Sequence, residues 1–173
     1  MPRLALMAGW FVSAFAFPRQ QSQSQVSYQA ALLRLRDTLV AVEAAAGEFN
    51  RDLRVAGAQT VLVRAEHLRR RCENGIVAAD STRRELRSAS AIPRLQARHA
   101  ALGDAMATLQ RELARECVTP FRSSGPGSWA DSLRAWGPYR GGQIADAIRV
   151  YNRQAVLFAG AAGFRLEPRV PAR

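Results

Sequence analysis

From Tyr28 onward the apolar positions fall into a stripe. Leu32, Leu35, Leu39, Val42, Ala46, Phe49, Leu53, Ala56, Thr60 and Val63 follow one another at steps of three and four, and only Thr60 is polar. That spacing lines one side of an α-helix with a heptad seam. Arg34, Arg36, Asp37, Glu43, Glu48, Arg51 and Arg54 sit between the seam positions, as a solvated face requires. Continued to Arg71, the pattern predicts one helix about 70 Å long at about 1.5 Å per residue. Such a seam needs cover, from the same chain or from a second copy. Gly47 and Gly57 interrupt it, each weakening a helix by roughly 1 kcal/mol relative to Ala, either as bends or as points of close approach.

Glu73-Asn74-Gly75 reads as the end of this helix, with Gly75 in the left-handed conformation that closes helices. A second stretch is expected from Ile76 to Ala89, or from Ser81 if Thr82 and Glu85 form a capping box. Pro93 disfavours helical angles at Ile92 and suits the first turn of a following helix. Leu95, Leu102, Met106, Leu109, Leu113 and Cys117 form the next stripe, which Thr119-Pro120 ends. Two architectures fit this pattern. In one, Pro93 only kinks a helix over 76–117, which folds back on the first as a long hairpin with Cys72 at its tip and Cys117 far away. In the other, favoured here, the chain reverses near Ser90–Pro93, and two legs of similar length return Cys117 to Cys72.

Beyond Pro120 the composition changes. Ser123-Ser124-Gly125-Pro126-Gly127 predicts a loop, Ser128 a cap for a short helix Trp129–Trp136, and Gly137-Pro138-Tyr139-Arg140-Gly141-Gly142 a second loop. A helix from Gln143 to Phe158 would place Ile144, Ala147, Ile148, Tyr151 and Ala155 on one face. Ala159–Phe164 reads as small and flexible, and Glu167–Arg173 as a disordered tail. The expected fold class is all-α: a long amphipathic helix packed with two or three further helices as a bundle or antiparallel hairpin. Residues 26–120 would be its core, and 121–173 a loop-rich, aromatic, helical C-terminal segment.

The first residues bear on compartment. Arg3 precedes a mostly apolar run, Leu4 to Phe15, too short to span a bilayer comfortably. Ala14-Phe15-Ala16 fits the small-x-small pattern of a cleavage site. A signal peptide over residues 1–16, a polar linker over 17–25 and export to the periplasm or the extracellular space are expected. The alternative is a membrane anchor over residues 4–17. In an oxidising compartment an even pair of cysteines, Cys72 and Cys117, reads first as one disulfide.

The 173 residues carry a formal charge of +11, and every basic residue is Arg. A surface this positive attracts anions at long range and without specificity. Two surfaces are candidates for more. Arg69, Arg70 and Arg71 with Arg83, Arg84 and Arg87 could grip phosphate or an acidic polymer. From Arg64 to Ala91, however, seven Arg face four acids, a mild excess that also describes a solvated face. Trp129, Arg134, Trp136, Tyr139 and Arg140 could form a partner surface, since Trp, Tyr and Arg dominate binding hot spots; they could equally cap the end of a bundle.

His67 and His99 lack further ligands at metal-site spacing. No nucleophile elbow, phosphate loop or triad appears, and no cofactor is expected. Tyr151-Asn152, Gly163-Phe164 and Ile92-Pro93 are similar to pieces of the LemA-type helical membrane proteins. Their spacing here is too short, the residues between do not match and the cysteines have no counterpart, so no property is carried over.

The function expected is that of an exported, non-catalytic interaction protein binding a protein or an anionic envelope polymer, with self-association through unpaired seams left open. A basic nucleic-acid-binding protein is the alternative, which export disfavours. An enzyme with a non-local site comes last.

Overall fold

The computed structural model describes the backbone of residues 23–122 and 129–167, and the side chains of 23–121 and 141–167. All regular structure among them is helical: α1 (Gln23–Val55), α2 (Ala58–Glu85), α3 (Gln96–Leu113), α4 (Thr119–Arg122) and α5 (Trp129–Ala162). The predicted signal peptide, the loop 123–127 and the tail beyond Glu167 lie outside the described residues. The linker expected over 17–25 is already helical from Gln23, and the Gln25 side chain donates to the Ala162 carbonyl at 2.7 Å.

The single 70 Å helix does not form. The chain breaks at Ala56-Gly57, where Gly57 adopts extended angles (φ −68°, ψ 159°) as the N-cap of α2. α2 then folds back along α1. Arg64 reaches over the turn to Asp52 (2.7 Å) and Glu48 (2.9 Å), and near the far end Arg34 pairs with Glu85. The reversal buries the α1 seam within the chain: Leu32, Leu35, Leu39, Val42 and Phe49 are all buried. That gain outweighs continuing a helix through Gly57 with its seam in water.

The reversal also shifts the register. In α2 the buried positions are Val61, Ala65, Leu68, Cys72, Gly75, Ala79 and Thr82, at steps of four and three, and Leu86 and Ala89 continue them beyond its end. Val63, assigned to the seam from the sequence, is exposed. Gly75 does not end a helix but lies mid-way through α2. A Cβ there would sit 3.0 Å from Leu113 Cδ1 and 3.6 Å from Val42 Cγ2, so the absence of a side chain lets three helices converge. Thr82 caps nothing; its hydroxyl, buried inside α2, donates to the Ala31 carbonyl at 3.4 Å.

Two short 3-10 turns, Arg87–Ala91 and Pro93–Leu95, reverse the chain into α3, with Ile92 extended before Pro93 as expected. Leu86, Ala89 and Leu95 are buried there. α3 runs antiparallel to α2 and brings Cys117 to Cys72: the sulfurs lie at disulfide-bond distance, 2.00 Å, with Cα atoms 6.3 Å apart. The reversal near Ser90–Pro93 is therefore the architecture adopted, and the long hairpin is not.

Thr119-Pro120 does not end this helix. A π-helical turn, Ala114–Val118, precedes it, with the Thr119 N–H bonded to the Ala114 carbonyl. α4 continues directly to Arg122. A wider turn just before a proline relieves the ring's clash with the preceding carbonyls and shifts the hydrogen bonds that the missing N–H would break.

The largest departure from expectation is α5. Trp129–Trp136, the expected loop 137–142 and the helix from Gln143 are one 34-residue helix. α5 is therefore part of the bundle: Ile144, Ile148, Tyr151, Ala155, Phe158 and Ala162 join the common core. Local propensity at Gly137, Pro138, Gly141 and Gly142 opposes a helix, but packing of the apolar face beyond them outweighs it. At the end of α5 Gly163 takes φ 87°, the Phe164 N–H bonds to the Ala159 carbonyl (3.0 Å) and the Gly163 N–H to the Gly160 carbonyl (3.2 Å). That is a Schellman closure, and Phe164 is buried beneath it. The stretch expected to be flexible is instead a firm stop.

α1 packs on α2, α2 on α3, α3 on α5 and α5 back on α1. The result is a four-helix bundle of up-down-up-down order.

Candidate functional site

The arginines of the candidate anion surface share α2, but the two groups do not meet. Arg69 and Arg83 are fourteen residues apart, about 21 Å along a helix. Acids already engage the first group. Arg69 bonds Glu66 (2.7 Å) and Glu73 (2.7 Å), and Arg70 bonds Glu66 (2.8 Å). Arg84 pairs with Asp80 at 3.0 Å. Arg71 and Arg83 instead donate to His67 at 3.5 Å and Gln110 at 3.4 Å, and the Arg87 carbonyl accepts from Ser90. Three of the six arginines, Arg69, Arg70 and Arg84, are thus neutralised along their own helix, which weakens the surface's grip on an anion.

The Arg69 guanidinium, then that of Arg70, holds the Glu66 carboxyl down from 4.5 to about 2. The folded value lies below the unfolded one. The stabilisation is therefore fully present above pH 4.5 and is lost as the pH falls toward 2. Glu66 is partly exposed, so the effect is screened and small. Urea midpoints at pH 6, 3 and 2 are expected to fall less over the acid range for Glu66→Gln than for the parent; equal slopes would place the acid sensitivity elsewhere.

Trp129, Arg134, Trp136, Tyr139 and Arg140 all fall on the first part of α5, and their side chains lie outside the described residues.

A groove between α1 and α5 is the site that sequence patterning missed. Its volume is about 900 Å³. Leu32, Val40 and Ala44 of α1, Ala145, Val156 and Leu157 of α5, and Leu166 beyond α5 line it. The register is antiparallel: the Tyr151 hydroxyl donates to the Leu32 carbonyl at 3.4 Å, and Gly141 lies against Asn50. Arg36 therefore stands level with the part of α5 that carries Arg149 and, one turn on, Arg153.

Arg36 Nη1 donates to the Glu167 carbonyl (3.3 Å), and its Nε lies 4.0 Å from Asp37. Arg149 pairs with Asp146. Arg153 is exposed and has no ion pair among the described residues. Burial pushes the Tyr151 phenol up, opposed by the nearby Arg36 guanidinium. The groove thus joins an apolar floor to a cationic rim. The sequence held a signal for it: Val40, Ala44, Ala145, Val156 and Leu157 are apolar positions off the buried seams, and two bundle faces must carry them.

Among the described residues no helix is long and apolar enough to cross a membrane. Compared with known protein families, characterised proteins and solved structures, the chain matches none.

Proposed function

We propose that this chain is an exported, non-catalytic binding protein whose working surface is the groove between α1 and α5, and whose partner is a protein or an anionic component of the cell envelope. The groove carries this reading. A helical bundle that only needed to be stable would close its first and last helices over their apolar positions; here Val40, Ala44, Val156 and Leu157 face an open trough instead. Its size falls within the range of small-molecule and peptide sites. The arginines at its rim are the part of the +11 charge best placed to select a negative partner. The Arg3, Leu4–Phe15 and Ala14-Phe15-Ala16 pattern supports export.

Ala44→Trp tests the site, because an indole placed at the rim fills the trough without touching the core. Immobilised parent protein is expected to retain a component of an envelope extract at low salt, and the Ala44→Trp protein, with an unchanged thermal melt, to lose it. Equal retention by both, or none by either, overturns the proposal. Intact mass of protein from the native host is expected to lack residues 1–16; a full-length mass removes the export half.

A further inference from the structure

The groove's chemistry is narrower than "anionic partner", and a ligand class assigned to it rests on the binding role just proposed. From Leu32 to Ala44 its α1 wall spans about 18 Å at the rise of an α-helix, and the α5 wall from Ala145 to Leu157 is equally long. A volume of about 900 Å³ drawn out over that length is a narrow trough. It is better matched to one extended chain than to a bulky ring system or to a whole helix with its side chains. Val40, Ala44 and Ala145 give the walls an apolar run, whereas the cations gather at one level, where Arg36 faces Arg149 and Arg153 across the trough.

Each half of this arrangement makes a demand. A wholly apolar ligand would leave the guanidiniums covered and unpaired, at a desolvation cost. A small anion would leave the apolar floor wet. Among the lining residues three are cationic, and two, Glu43 and Glu167, are acidic. Glu167 stands at the level of Arg36, and its carbonyl oxygen, rather than its carboxylate, accepts from Arg36. Asp146 takes part of Arg149, and Asp37 approaches Arg36 only to 4.0 Å. Arg153 and the Nη2 of Arg36 are left for a ligand. Arginine suits a carboxylate because its planar fork can make two parallel hydrogen bonds.

We propose that the groove binds a long-chain fatty acid, with the carboxylate held between Arg36 and Arg153 and the hydrocarbon chain lying along Val40, Ala44 and Ala145. The acid group gives orientation and selectivity, and the chain gives most of the binding free energy by leaving water. No bond is made or broken, and the ligand is held by removal of apolar surface and by charge-assisted hydrogen bonds.

Calorimetric titration of the full chain with palmitate, below its aggregation threshold, tests this. Hexadecanol supplies the same chain without charge, and acetate the charge without a chain. One palmitate per protein is expected to bind, and acetate is expected not to bind. Hexadecanol should bind at least about tenfold more weakly, since one charge-assisted hydrogen bond contributes that much. Arg36→Gln/Arg153→Gln, checked by an unchanged melt, should lose a similar factor for palmitate and nothing for hexadecanol.

Absence of palmitate binding, equal binding of hexadecanol, many palmitates per protein, or an undiminished double variant would each overturn the proposal. If palmitate fails while Ala44→Trp still abolishes retention of an envelope component, the groove is a binding site for something else. If both fail, the binding role falls with the ligand.

Discussion

Replacing Cys72 and Cys117 together by Ala is expected to lower the free energy of unfolding by about 4 kcal/mol. The cysteines are 45 residues apart in sequence, and the link between them removes the conformations that a free loop of that length would have in the unfolded chain. Both sulfurs are fully buried, so reductant should act on the native protein only through unfolding. Urea denaturation with and without reductant provides the comparison. The oxidised parent should show the higher midpoint, and the reduced parent should match the double variant apart from the small difference in side-chain volume. Coincident midpoints for all three would mean that the bond adds nothing to the helical packing. The bond joins the middle of α2 to the π turn before α4, so its loss should loosen the α2–α3 pair first.

Phe158→Ala is expected to cost about 3–5 kcal/mol, the range for emptying a fully buried aromatic site. Phe158 has no exposed surface and meets Tyr28 edge-on, with ring centroids 6.0 Å apart. Tyr28 in turn shares a hydrogen bond of 2.8 Å with Ser88. One ring on α5 therefore locks to α1 and, through it, to the α2–α3 reversal. Val150→Ala on the exposed side of α5 should change stability by no more than about 0.5 kcal/mol. A small effect at both positions would mean that α5 adds little to the core. Chemical denaturation of the two variants under the same conditions distinguishes these outcomes.

The helical class and the reversal near Ser90–Pro93 were legible because they rest on strong local signals: large apolar residues at helical spacing, and the restriction that Pro93 places on Ile92. The α1 seam was legible for the same reason. The α2 seam was not. Five of its seven inward positions are Ala65, Cys72, Gly75, Ala79 and Thr82, whose small side chains look like filler when hydrophobicity alone is weighed. They are buried because helices approach closely over them, a property of the partner surface and not of the residue. Gly57 and Gly75 show the same limit from two sides. Both are single glycines in helical surroundings; one ends a helix and the other is packed in the core, and only tertiary contact separates them.

Gly137 to Gly142 has the composition of a loop and forms helix. The cooperative gain from the apolar face of 144–162 extends past a few poor helix formers. The groove was hidden for a different reason. It is built from residues more than a hundred positions apart, and no spacing along the chain records that Arg36 will stand opposite Arg149.

The order of the four helices bears on how the molecule opens. α1 and α2 are joined by a two-residue turn, α2 and α3 by a short reversal and a covalent bond, and α3 and α5 by the brief segment after Arg122. Only α1 and α5, the first and last helices, meet without a nearby connection, and closing them carries the largest loop entropy in the fold. Amide protons along Val40–Ala44 and Ala145–Val156 should therefore exchange with solvent through a smaller excursion than those along α2, as the least tethered edge of a bundle unzips first. The trough follows that edge, so entry and release of whatever it holds would draw on the same motion.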